Sequence, residues 1–327
     1  MKYLITGSSG FIGFHLAKSL IEQSNHVVGI DNHNDYYDVG LKKDRLNQLL
    51  RLKGVYEFFE YDLNDLQKLE SLFTKNRFDA VIHLAAQAGV RHSIENPKAY
   101  VRSNIDGFFN ILDLSKNFKI PHLIFASSSS VYGNNLKKSF STSDSTDSPV
   151  SLYAASKKSN ELMAHSYSSL YKMKITGLRF FTVYGEWGRP DMAYYSFTKK
   201  ILNGESIDLY NNGKLERDFT YVSDIVDGLN SVIKIMPNYF DKRPNEVPFE
   251  IFNLGNNKPS KLKHFVETIE KYCKKPAKTN FVGMQKGDVL RTAANIDKEK
   301  SIISFKPVVD LDSGLKKFVS WYKDYHK

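Results

Sequence analysis

Thr6-Gly7-Ser8-Ser9-Gly10-Phe11-Ile12-Gly13 follows directly on a short apolar run, Tyr3–Thr6, and opens a segment of helical periodicity. Over Phe11–Gln23 the residues Phe11, Ile12, Leu16, Leu20 and Ile21 recur at the spacing of one helix face. Strand, glycine turn and helix in that order predict a backbone cradle for a pyrophosphate, whose charge meets free amides and the positive helix end. Gly7 permits the tight turn, Gly10 lets the backbone approach the phosphates, and Gly13 allows the helix to pack closely on the strand. A lone glycine triplet is as often a plain turn, so the flanking elements carry the reading. Asp31 closes the next strand-like run, His26–Asp31. An acid about 20 residues beyond the turn hydrogen-bonds the adenosine ribose and repels a 2′-phosphate, and no arginine follows immediately. The expected dinucleotide is therefore NAD rather than NADP.

Outward from this unit the alternation continues. Helical patterns over Leu41–Leu52, Leu66–Phe73, Pro97–Phe118 and Leu152–Tyr171 separate strand-like runs at Val55–Asp62, Phe78–Ala85, His122–Ser127 and Ile175–Phe181. Asn64 or Asp65 starts the second helix, and Pro97 opens the third. Repeated strand–helix units predict an α/β fold with a Rossmann-type, doubly wound parallel sheet, covered on both faces. After Phe181 the segments shorten, with turn signals at Gly185, Gly188-Arg189-Pro190, Asn211-Asn212-Gly213 and Gly255-Asn256-Asn257. The expected division is a dinucleotide-binding domain over 1–181, rejoined by a strand near 249–254, and a smaller, mainly substrate-binding domain over 182–327. The polar segment Ser139–Pro149 lies between ordered elements and reads as a surface loop near a site.

Composition excludes several classes. The 327 residues hold no apolar stretch near the ~18 residues of a membrane span. Lys and Arg number 46 against 36 acidic residues, a net charge of +10, but the basic residues are scattered as isolated doublets such as Lys42-Lys43. No basic stripe or nucleic-acid motif accompanies them, so a nucleic-acid partner is not expected. The single cysteine, Cys273, excludes an internal disulfide and fits a cytoplasmic protein. The nine histidines show no ligand spacing, and no metal is expected.

Tyr153-Ala154-Ala155-Ser156-Lys157 places a phenol and an amine four residues apart, on one helix face. On spacing alone this is an ordinary helix pair. It follows a nucleotide-binding half, however, and the run Ser127-Ser128-Ser129-Ser130 ends a strand just before it, where open α/β sheets form their ligand crevice. A phenol of pKa near 10 must fall by about 3 units, roughly 4 kcal/mol, to act as a base near neutrality. Lys157 and a positive nicotinamide ring can supply that electrostatically, and a serine hydroxyl can relay the proton or hold the reacting oxygen.

The glycine pattern, the serine run before Val131-Tyr132-Gly133 and the Tyr–Lys pair resemble those of the extended short-chain dehydrogenase/reductase family. Within that family the chain resembles the nucleotide-sugar epimerases over nearly its whole length. Asp31–Asp38, followed by Leu41-Lys42 and Arg45-Leu46, is similar to the corresponding stretch of UDP-glucuronate 4-epimerases. So are Ala86–Arg91, Arg179–Gly185, Gly188–Ala193, Arg217–Val222 and the closing Trp321-Tyr322. The resemblance implies Tyr153 as base, Lys157 as its partner and ribose contact, and Ser128 as third member, with Ser127 and Ser129 as alternatives. It implies cofactor contacts at Phe11, Ile12, Asp31, Asp62, Leu63, Ala85, Gln87, Asn104 and Phe181. Thr182 and Arg189 would meet a sugar carboxylate, and Arg217 and Asp288 the diphosphate and uridine ribose. Arg91 reads equally as a substrate contact or a plain surface arginine.

Gln285 stands where hexose epimerases often carry a diphosphate-binding arginine, which argues against the UDP-galactose branch. Ser129 and Ser130 stand where 4,6-dehydratases carry an added acid and base, which argues against dehydration. The implied activity is NAD-dependent 4-epimerisation of UDP-glucuronate to UDP-galacturonate through a 4-keto intermediate, in a homodimer joined through the Pro97–Phe118 and Leu152–Tyr171 helices. Its rivals are 4-epimerisation of a UDP-glucose or UDP-N-acetylhexosamine substrate, and a non-catalytic dinucleotide sensor. Such a sensor commonly lacks the Tyr–Lys pair.

Overall fold

The computed structural model describes residues 1–284 and 289–327. Six strands come from the first half: β1 (Lys2–Thr6), β2 (His26–Asp31), β3 (Tyr56–Glu60), β4 (Ala80–His83), β5 (Leu123–Ser128) and β6 (Ile175–Phe180). They are followed by β7 (Thr182–Tyr184), β8 (Ser206–Leu209), β9 (Glu216–Tyr221), β10 (Phe249–Leu254), β11 (Pro259–Lys261) and β12 (Lys278–Phe281). Seven of these form one sheet in the order β10-β6-β5-β4-β1-β2-β3, parallel throughout. The doubly wound parallel sheet read from the alternation is the fold the chain adopts. Two small sheets lie beyond it: β7 and β11 flank β9, and β8 pairs with β12.

Alternate strand residues feed the two faces. Leu4, Val28 and Val81 pack with Phe108, Ile111 and Leu112 on one side, while Ile5, Val27 and Ile82 join Phe14, Leu16 and Leu20 on the other. Both layers are fully buried, which is why these strands read as near-continuous apolar runs. The chain winds outward from β1 through β2 and β3 in one direction and from β4 through β6 in the other, so the crevice opens between the carboxyl ends of β1 and β4. The register sets Thr6 opposite both Ile30 and His83, and the glycine turn therefore emerges at the centre of the sheet edge.

Local signals account for most boundaries. Asp38 caps the helix Val39–Leu50 by accepting the Gly40 N–H, three residues before the apolar pattern begins at Leu41. Asp65, not Asn64, caps Leu66–Lys75 through the Lys68 N–H. The single helix expected over Pro97–Phe118 is instead two α-helical pieces, Pro97–Tyr100 and Gly107–Asn117, joined by a π-helical turn at Val101–Asp106. Asn104 in that turn uses its carbonyl to accept from Asn160 Nδ2 and its side chain to hold Gln87, bonds that a regular helix would not present together. Among the described residues no helix is long and apolar enough to cross a membrane.

Candidate active site

A cleft of about 1290 Å³ lies along the carboxyl ends of the strands. Gly7, Gly10, Phe11, Ile12 and Gly13 form its floor at the first turn, with Asp31, Asp62 and Leu63 at one end. Ala85 and Gln87 border it after β4, and Ser128, Tyr153, Lys157 and Phe181 lie near its middle. Thr182, Arg189, Arg91 and Arg217 line the remainder. Asn104 does not border it. Its amide lies behind the wall, accepting the Gln87 N–H at 2.8 Å and donating to the Gln87 carbonyl at 3.1 Å and to Ser156 Oγ at 3.0 Å. The Asn104 side chain thus supports Gln87 and the helix carrying Lys157. Asp288 and Gln285 lie outside the described residues.

The turn has the shape that a dinucleotide requires. Gly7 sits at φ +71°, and a Cβ there would stand 2.8 Å from the backbone nitrogen of Ala85, so no other residue fits without moving main chain. The Gly10 N–H donates to the Gly7 carbonyl at 2.9 Å, closing the turn. The Asp31 carboxylate accepts the Ser9 N–H at 3.2 Å and the His33 N–H at 3.0 Å, which fixes it at the cleft edge. Burial raises the Asp62 carboxyl, but hydrogen bonds from Asn64 and Asn32 and the Arg102 charge hold it below the usual range. Gln87 Nε2 is buried on the cleft wall near the Tyr100 hydroxyl, with no well-formed hydrogen bond among the described residues, a donor available to a ligand oxygen. These residues fit a bound dinucleotide.

The helix Leu152–Tyr171 starts where the Ser151 hydroxyl accepts the Ala154 N–H at 3.1 Å. That places Tyr153 in its first turn and Lys157 one turn later, both toward the cleft. Lys157 is buried, its Nζ donates to the Ala126 carbonyl at 2.9 Å, and desolvation pushes its pKa down to about 8. Burial pushes Tyr153 up, while a hydrogen bond with Ser128 and the charge of Arg189 pull it down. The net shift is upward, opposite to the fall a base needs, and the Arg189 charge is among the causes that oppose it. Residues of this chain alone keep Tyr153 protonated near neutrality.

The serine run divides its work. Ser127 is committed elsewhere: its hydroxyl donates to Glu161 at 2.6 Å, and Glu161 accepts two bonds of 2.8 Å from Arg179. This buried pair ties the helix Leu152–Tyr171 to β6, and removing one partner of such a pair costs about 3–5 kcal/mol. Ser128 faces Tyr153, and its hydroxyl also accepts the Ser130 N–H at 3.1 Å. Ser129 borders the same cleft.

At the far end Arg189 Nε and Nη2 meet Asp191 Oδ1 and Oδ2 at 3.0 and 2.5 Å, and Tyr36 donates to the same carboxylate at 3.1 Å. Arg91 stands over the Tyr210 ring, 4.7 Å from its centre. Arg217 on β9 donates to the Glu216 and Leu290 carbonyls. Tyr36, Lys42 and Asp191 also line the cleft, yet the sequence reading gave them no role. All three lie inside the stretches quoted for the resemblance, so the signal was present but not attached to a contact.

A family model described as the NAD dependent epimerase/dehydratase family matches residues 3–255. Protein CapI of Staphylococcus aureus is 52% identical, the alignment covering all of both chains. UDP-glucuronate 4-epimerase 1 of Arabidopsis thaliana is 49% identical over 99% of this chain and 77% of its own. Among solved structures, UDP-glucuronic acid 4-epimerase from Bacillus cereus, in complex with UDP-glucuronic acid and NAD, is similar with a TM-score of 0.89. It is 32% identical, over 99% of this chain and 100% of that one. With the glycine turn, Asp31 and the Tyr153–Lys157 pair in one cleft, the chain belongs to the NAD dependent epimerase/dehydratase family, and its cofactor is NAD.

Proposed function

We propose that this protein converts UDP-glucuronate to UDP-galacturonate by inverting carbon 4 of the sugar. The observation that carries the reading is the position of Arg189, which lines the cleft with Thr182 and stands near enough to Tyr153 for its charge to act on the phenol. A cation and a hydroxyl near the reacting oxygen suit a sugar whose carboxylate is attached one carbon away from it. NAD, when bound, accepts hydride from carbon 4 and returns it to the opposite face. Tyr153 takes the proton of the 4-hydroxyl and gives it back, and Ser128 holds the same oxygen. Lys157, held by the Ala126 carbonyl, orients the cofactor ribose. Thr182 and Arg189 hold the carboxylate, Arg217 and Asp288 hold the diphosphate and uridine ribose, and Arg91 is a further substrate contact.

In this reading residues 1–181, with Phe249–Leu254, hold the dinucleotide, and 182–327 mainly hold the sugar nucleotide. The working unit is a cytoplasmic homodimer. Exposed Phe109, Tyr171 and Leu162 support a second copy docking on the paired helices Gly107–Asn117 and Leu152–Tyr171, where the Phe109 and Tyr167 rings meet edge to face. Incubating the purified protein with UDP-glucuronate and resolving the epimers by NMR tests the function. Conversion of UDP-glucose or a UDP-N-acetylhexosamine in place of the uronate would overturn it.

A further inference from the structure

Arg45 is fully buried, and its partners are carbonyls and a phenol rather than carboxylates. Nε and Nη2 both donate to the Trp187 carbonyl, at 3.0 and 2.6 Å, and Nη2 also donates to the Gly188 carbonyl at 3.1 Å. Nη1 donates to the Ser9 carbonyl at 3.0 Å and the Tyr37 hydroxyl at 2.7 Å. Those five bonds use the full set of guanidinium N–H groups. One side chain thus spans two loops distant in sequence: the dinucleotide turn at Ser9 and the segment Trp187-Gly188-Arg189.

The two loops differ in how they are held. Ser9 is fixed on its own side, its N–H donating to Asp31 and its hydroxyl bonded to His33 at 3.0 Å. The other loop is awkward to build. Trp187 has φ +58°, a left-handed conformation unfavourable for a residue with a Cβ. At Gly188 a Cβ would stand 2.2 Å from the Tyr194 hydroxyl, the same hydroxyl that accepts the Arg189 N–H at 3.1 Å. The carbonyls on either side of this turn are the ones Arg45 grips. Chain geometry disfavours the turn, and the buried guanidinium holds it in place.

We propose that Arg45 is a positioning residue for recognition of the uronate. By bridging the Ser9 carbonyl to the Trp187 and Gly188 carbonyls, it sets where the Arg189 guanidinium stands relative to the dinucleotide turn. The inference rests on the reading of Arg189 as the group that holds the sugar carboxylate. A lysine cannot substitute, because a point ammonium has three donors and no planar fork to span both loops.

The test compares Arg45→Lys and Arg45→Met with the unaltered protein, measuring by calorimetry the affinities for UDP, UDP-glucose and UDP-glucuronate. The expected result is an affinity for UDP within about twofold of the unaltered protein and at least a tenfold loss for UDP-glucuronate relative to UDP-glucose. Arg45→Lys should lose nearly as much as Arg45→Met. Equal losses for all three ligands would reduce Arg45 to general scaffolding and overturn the proposal, as would an unchanged uronate preference. If both variants fail to fold, Tyr37→Phe, which removes one of the five bonds, decides by the same ratio, with about a threefold shift expected. Should the unaltered protein show no preference for UDP-glucuronate, the functional reading itself falls. Should it show one that the variants retain, only the role of Arg45 falls.

Discussion

Asp191 grips Arg189 from the side, taking Nε and Nη2, while the Tyr36 hydroxyl lies against the same guanidinium. Two carboxylates can share one guanidinium in this way, one on each edge. Burial raises the Asp191 carboxyl, but the Arg189 charge and the hydrogen bonds from Arg189 and Tyr36 together hold it below the usual carboxylate range. Arg189→Ala and Thr182→Ala should therefore each weaken UDP-glucuronate binding, the arginine change by about 10–100-fold, the range of a charge-assisted hydrogen bond, with UDP-glucose little affected. Calorimetry with the two sugar nucleotides checks the contrast, and equal losses for both would move the carboxylate site elsewhere.

The same variants should also lose control of the intermediate. A 4-keto uronate is a β-keto acid, and it sheds carbon dioxide when the breaking bond stands perpendicular to the carbonyl plane. A carboxylate held by Arg189 and Thr182 can be kept from that alignment, whereas an unheld one cannot. Mass spectrometry should find a UDP-4-keto-pentose or UDP-pentose, and absorbance should reveal accumulated NADH. Loss of epimerisation with no loss of carbon dioxide would refute this geometric protection.

Tyr153→Phe removes only the hydroxyl that faces Ser128. Turnover should fall by about 10²–10⁴-fold, the usual contribution of a positioned proton-transfer group. UDP affinity should remain within a few-fold, since the diphosphate and uridine contacts are untouched. Activity near that of the unaltered protein would remove Tyr153 from the mechanism.

Gly7→Ala puts a Cβ 2.8 Å from a main-chain nitrogen, at a φ of +71°. Backbone cannot yield as a flexible side chain does, so the turn must shift or the strand ends must part. The purified variant should carry much less NAD than the unaltered protein, measured by nucleotide assay after denaturation, and should melt several degrees lower. Full NAD content at an unchanged melting temperature would mean that this turn is not the pyrophosphate cradle.

Period and punctuation made the parallel sheet legible. Residues such as Leu4 and Ile5 are both buried because helices cover both faces, and that produces an unbroken apolar run readable from one sequence. The glycine turn and Tyr153–Lys157 were legible because each is local, set by eight and five consecutive residues. The π-helical turn at Val101–Asp106 was not, since its cause lies in Gln87 and Asn160, distant in sequence. For the same reason the bonds of the Asn104 amide to Gln87 were not legible from the sequence. The upward shift of Tyr153 was hidden as well, because desolvation depends on what the fold stacks around the phenol and not on neighbours in the chain.

Glu299 gives a stability test independent of the cleft. It is buried, its Oε1 accepts the Asn253 N–H at 2.6 Å, and burial pushes its pKa up to about 7 from an ordinary 4.5. Between those values the folded chain binds more protons than the unfolded chain, so stability falls as pH rises from about 4.5 to 7 and stays reduced above it. At 1.36 kcal/mol per unit, that shift corresponds to about 3 kcal/mol lost at pH 8. Glu299→Gln keeps an oxygen for the Asn253 N–H and carries no charge to desolvate. The variant should match the unaltered protein at pH 4.5 and exceed it at pH 8, with most of the difference appearing below pH 7. Denaturation at the two pH values reads this directly, and a pH-independent difference would show that Glu299 titrates in the folded protein at its ordinary value.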